Sequence, residues 1–164
     1  MTERIRSLYL RMVEFDAGEP ALIQHFTKVH AYSKLIAEQE KMDAHSREIL
    51  EAAALVHDIA IPLCLQKYGS DAGSLQEAEG PALVREMLPS LGFTDQETER
   101  VAWLVAHHHT TQNIVDADHQ ILIEADFLVN AHESSHSLAA KQTTLAKIFK
   151  TPTGIHLFKT MFTL

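Results

Sequence analysis

The stretch Ile49–Val56 constrains the fold most. With Ala52-Ala53-Ala54-Leu55-Val56 at its end it is apolar nearly all round and so should be buried. It lies in a predicted helix over about 45–58, which carries His57-Asp58 into the interior or a cleft at its end. Few segments elsewhere alternate with period two, and helical spacing dominates, so the chain reads as all-α. An amphipathic segment near 2–15 ends at Asp16-Ala17-Gly18, and Pro20 sits in the first turn of a helix over about 20–40. Pro62, Gly69, Ser70, Gly73 and Ser74 make 59–77 a loop with at most a short helix inside it. A helix over 79–91 stops near Pro89 and Gly92, and Thr94-Asp95-Gln96-Glu97 is a capping box opening the helix that reaches His107-His108-His109. A helix over 119–133 follows, and two shorter ones close the chain, the last beginning at Thr151-Pro152.

At 164 residues, 46% of them hydrophobic, the chain suffices for one domain and scarcely for two. The expectation is a single domain over 1–164, with its core over about 20–133 and terminal helices at 1–16 and 138–164. No apolar run approaches the roughly 20 residues that cross a bilayer, and the first residues mix acids into what a secretory signal keeps basic and then apolar. A soluble, cytoplasmic protein without a membrane partner is expected. The one cysteine, Cys64, excludes an internal disulfide and a multi-thiolate zinc site, and reads as a small buried apolar residue. Net charge is −8, but all acidic residues precede Ser134, so residues 1–133 hold ten basic against 22 acidic side chains, a net of −12. That balance disfavours a nucleic-acid polymer as partner. Lys141, Lys147, Lys150 and Lys159 read as solvated faces of the terminal helices.

Eleven histidines are many for this length, and position has to decide which matter. Asp126 shares a helical face with Leu122, Ile123 and Val129, so packing that face inward buries a carboxylate, which is costly unless something positive or hydrogen-bonding meets it. His30 follows Phe26 and Ile23 at the border of an apolar stripe, and His108 follows Val101, Leu104 and Val105 at the same kind of spacing. These candidates lie on four helices, which a bundle can gather into one pocket. Imidazole with carboxylate suits Zn, Fe, Mn, Ni or Co, and two nitrogens with two oxygens leave room for a water that a divalent ion acidifies.

The ordered set His30, His57-Asp58, Asp126 resembles the metal signature of the HD-domain phosphohydrolase superfamily, and LVHDIA resembles its LLHDIG segment. QEAEGPALVREML, VAWLVAHHHT and ILIEADFLVN are similar to a group of small stand-alone bacterial HD proteins, so the likeness spans about 25–133. It implies a bundle of at least five core helices, and hydrolysis of a small phosphorylated metabolite or nucleotide by metal-activated water. The divalent ion (Mn, Fe, Zn, Ni, Co or Mg) would be held by His30, His57, Asp58 and Asp126, with a second ion if a further histidine joins. Many relatives carry a basic residue where this chain has Pro62; Lys67 is the expected substitute for meeting substrate phosphate. His108 and Glu79 are expected beside the reaction, and His107 at the substrate. The rival readings are a non-catalytic metal- and nucleotide-binding module and a di-iron oxygenase of the same fold. His25, His45, His119, His132, His136 and His156 are assigned to structure or surface.

Overall fold

The computed structural model describes residues 1–134 and 136–164. Among them there are helices and no strands, as the periodicity predicts. In chain order the α-helices are α1 (Glu3–Phe15), α2 (Pro20–Gln39), α3 (Ala44–Val56), α4 (Ile61–Tyr68), α5 (Gly73–Met87), α6 (Asp95–Val105), α7 (Ala117–Glu133), α8 (Leu138–Ile148) and α9 (Pro152–Phe162). No helix among the described residues is long and apolar enough to cross a membrane.

Helix α3 is buried along its whole second half, Ile49 through Val56, because α1, α2, α6 and α7 all pack against it. Helix α2 also packs along α7, so α2, α3 and α7 form a mutually touching trio, and α6 packs on α3 and reaches α7 through the Arg100–Asp118 ion pair. Its main core holds Phe26, Val29, Leu50, Leu55, Leu104 and Leu122, among others. A smaller cluster of Leu128, Ala131, Phe149 and Phe158 fastens the last two helices to α7.

Three boundaries differ from the sequence reading, one of them the end of α6, which stops at Val105, short of His107-His108-His109. The segment 59–77 contains a full two-turn helix, α4, with Pro62 in its first turn, where a missing N–H costs nothing. Helix α5 begins at Gly73 rather than near 79 and runs through Pro81, which removes one rung of its ladder. The glycine that suggested a loop is there for space: a Cβ at Gly73 would stand 2.6 Å from the His109 ring.

Asp16, just past α1, is 2% exposed, and its two carboxylate oxygens have no hydrogen-bond partner among the described residues. Burial, with a smaller repulsion from Glu19, raises its pKa to about 6. The unfolded value is about 3.9, so the fold accepts the neutral acid and opposes the carboxylate. The stability present in acid is therefore lost as pH rises through that raised value. Asp16→Asn is expected to stabilise the protein by about 2 kcal/mol near pH 8 and to change little near pH 4. Urea melts at both pH values check this, and equal shifts at the two would contradict it.

Candidate metal centre

Four of the packed elements deliver polar side chains to one buried point. His25 projects from α2, His57 and Asp58 follow the end of α3, Asp126 comes from α7, and His108 lies in the turns after α6. His25, His57, His108 and Asp126 are buried, and the Asp58 side chain is 13% exposed.

Each imidazole has its Nδ1 committed elsewhere. That of His57 lies 3.0 Å from the Ala54 carbonyl, that of His108 2.7 Å from the Val105 carbonyl, and that of His25 2.8 Å from a Glu133 oxygen. Each Nδ1–H donates to its acceptor, and Nε2 is left to face the centre. There, His25 Nε2 is 3.1 Å from His57 Nε2, 3.1 Å from Asp126 Oδ1 and 3.6 Å from Asp58 Oδ2. His57 Nε2 is 3.5 Å from Asp58 Oδ2 and 3.6 Å from Asp126 Oδ1. His108 Nε2 approaches Asp58 Oδ1 at 2.9 Å.

Neutral imidazoles in this arrangement aim lone pairs at one another and at two carboxylates, which is tolerable only with positive charge among them. Bonds of about 2.1 Å to one ion place donor atoms about 3.0 Å apart at right angles and about 3.4 Å apart at tetrahedral angles. The observed separations fall around these values, so the residues present fit a divalent cation. Titration has the same sign. Burial opposes the charged form of His25, but Asp126, Asp58 and Glu133 outweigh it and raise its pKa to about 9. Burial likewise works against the ionised forms of Asp58 and Asp126, yet His57 with His108 in the first case, and His25 with His57 in the second, hold both below the usual carboxylate range. His108 is raised, because Asp58 and the Val105 carbonyl overcome its burial.

A second donor group adjoins the first: ligand atoms of Asp58, His108 and His109 lie within 4.8 Å of one another. Burial, with His108 next to it, lowers the pKa of His109.

The structure brings together His57, Asp58, Asp126 and His108 of the expected residues, and places four others elsewhere. His30 is buried but lies 2.9 Å from Glu51 on α3, so it satisfies a buried carboxylate and does not reach the centre. His25, which the sequence reading left as structural, stands there instead. The two are five residues apart, about 140° around the helix axis, and so face different neighbours. His107 stacks on Trp103 at 4.2 Å and turns its Nδ1 to the Trp103 carbonyl. Glu79 does not open its helix: it lies within α5, bonded to Tyr68 and, at 2.7 Å, to Lys67. Lys67 is thereby neutralised.

A cavity of about 330 Å³ opens at the centre, touching His25 and Asp58. A larger one, about 640 Å³ beside Arg100 and Asp116, touches none of these side chains.

The HD domain family model matches residues 22–150, a span that holds His25, His57, Asp58, His108, His109 and Asp126. Over 63 residues the chain is 41% identical to the bifunctional uridylyltransferase/uridylyl-removing enzyme of Rhodospirillum rubrum, a stretch that covers 38% of this chain and only 6% of that protein. The crystal structure of a predicted HD superfamily hydrolase from an uncultured Thermotogales bacterium matches with a TM-score of 0.69 at 24% identity, over 96% of this chain and 84% of that one. At that identity the likeness is one of fold.

Proposed function

This chain belongs to the HD domain family, and from that premise we propose that it is a metal-dependent phosphohydrolase acting on a small phosphorylated metabolite or nucleotide, with its divalent ion held by His25, His57, Asp58 and Asp126. The supporting observation is the convergence of Nε2 atoms and carboxylates on one buried point, each histidine oriented by an acceptor on its other nitrogen. A bound divalent ion would polarise a phosphoryl oxygen and make a water acidic enough to attack at neutral pH.

The chain's own residues do the rest. Glu133 and the Ala54 carbonyl fix the tautomers of His25 and His57, so their lone pairs point inward without rearrangement. His108 can lend its Nε2 proton to the departing oxygen while Asp58 stabilises its charged form. Alternatively, with His109, it can hold a second ion at Asp58. Lys67 and Glu79, tied to each other on α4 and α5, act as a structural pair in this reading.

Protein purified without added metal is expected to contain a divalent ion and to hydrolyse members of a panel of phosphate monoesters and nucleotides. A chelator should abolish that turnover, and a divalent ion should restore it. Bound metal with no turnover across the panel would favour the non-catalytic module, and two irons per chain with an oxygen-dependent spectrum would favour the oxygenase.

A further inference from the structure

The cavity beside the proposed metal centre has an unusual charge pattern for a phosphate-handling site. Its wall includes Leu22, Ile61, Pro62, Leu65 and Asn130, whose amide donates to Asp126 at 2.8 Å, its rim Glu19 and Glu133, and no Lys or Arg lines it among the described residues. Glu133 is balanced, because it binds His25 Nδ1 and pairs with Lys28. Glu19 is not. It is the exposed N-cap residue of α2, its side chain makes no cap hydrogen bond, and its carboxylate faces solvent at the cavity edge with no hydrogen bond or ion pair among the described residues. Lys67, which could have brought positive charge, has its ammonium 2.7 Å from Glu79 and is not part of this wall.

A phosphoryl group at the centre would therefore meet the ion and His108 but no Lys or Arg of the cavity, and whatever is attached to it would lie against a largely apolar wall with an unneutralised carboxylate at its edge. A further phosphate or a carboxylate on that portion would find no cation and would face Glu19, whereas an amine would pair with it. We infer that the cavity selects phosphate monoesters whose leaving group is short, largely aliphatic and cationic, and rejects polyphosphates and carboxylated phosphates. At about 330 Å³ it is at the small end of the roughly 300–1,000 Å³ found for ligand sites, which suits a compact leaving group. This inference rests on the phosphohydrolase reading and narrows it.

The test uses a matched set of non-hydrolysable probes on the full-length, metal-loaded protein: 3-aminopropylphosphonate, propylphosphonate and 3-phosphonopropionate, with affinities measured by calorimetry. The amine is expected to bind at least about 10-fold tighter than the carboxylate, with the neutral probe between them. Glu19→Gln should narrow the gap to about 3-fold or less, and Glu19→Lys should reverse it, while metal content stays at the wild-type level. Equal affinities, a preference for the carboxylate, or a preference that both Glu19 variants leave intact would overturn the inference and leave the phosphohydrolase reading standing. Failure of all three phosphonates to bind would also overturn the inference, while the phosphohydrolase reading falls only if the panel of monoesters and nucleotides shows no chelator-sensitive turnover.

Discussion

Asp126→Ala is expected to retain no more than about a tenth of the wild-type metal and to hydrolyse phosphate esters at least about 10³-fold more slowly, while remaining helical. The carboxylate is 4% exposed, and what keeps it ionised there, against its burial, is hydrogen bonding from His25 and His57 or an ion between them. Removing it deletes one of two anionic donors and leaves the facing Nε2 atoms with less to bring a cation to them. The same logic sets the response to chelation. Metal present at about 1,000 times its dissociation constant adds about 4 kcal/mol to the native state. Stripping it from the wild type should therefore lower Tm by roughly 8–16 °C. In Asp126→Asn, which keeps the side chain's shape, that drop should shrink to a few degrees. A chelation shift of the same size in wild type and Asp126→Asn would place Asp126 outside the metal site.

The second large effect lies away from the centre. Glu124 is fully buried on α7 and pairs with no cation among the described residues; its oxygens accept from the backbone N–H groups of Lys150 and Thr151, the Thr151 hydroxyl and the Gln120 amide. It thus satisfies the turn between α8 and α9, and α9 packs so closely over it that a Cβ at Gly154 would lie 2.0 Å from Glu124 Oε2. Glu124→Ala strands two backbone donors and opens a void, at about 1–3 kcal/mol per unsatisfied group. The expected loss is about 3–5 kcal/mol, or a Tm lower by roughly 6–20 °C, with metal content unchanged below the transition. Glu124→Gln, which keeps an acceptor for the turn, should lose about half as much. A Glu124→Ala protein with wild-type Tm would contradict this account of how the last two helices are held.

The helices and much of the centre were legible because they rest on local pattern. Ile49 through Val56 could only be buried, Asp126 shared a face with Leu122 and Val129, and Thr94 with Glu97 formed the capping box that the structure contains. The choice between His25 and His30 was not legible in the same way. Both are buried on α2, and His30 stands at the border of an apolar stripe, but stripe position reports burial and says nothing of what waits opposite. Their roles are separated by long-range partners: Glu51 opposite His30, and Glu133, Asp58 and Asp126 around His25. A signal was present in Glu51, an acid in the middle of the most buried helix, which had to have a partner and found His30. His109 was hidden for a related reason, since only the turn after α6 decides how three consecutive histidines stand around Asp58, with His108 buried and His109 exposed beside it. The start of α5 was obscured by Gly73 and Pro81, residues that break helices on average and are accommodated here by a close ring contact and by one missing rung.

The assignment of the ion to His25 and not to His30 is tested most directly by metal affinity in two single variants, His25→Ala and His30→Ala, measured by dialysis against buffered metal with elemental analysis. The account predicts that His25→Ala weakens binding at least about 100-fold at nearly unchanged fold. It predicts that His30→Ala keeps wild-type affinity and loses stability instead, because the buried carboxylate of Glu51 is left without its closest partner. Wild-type affinity in His25→Ala together with loss of the metal in His30→Ala would contradict it.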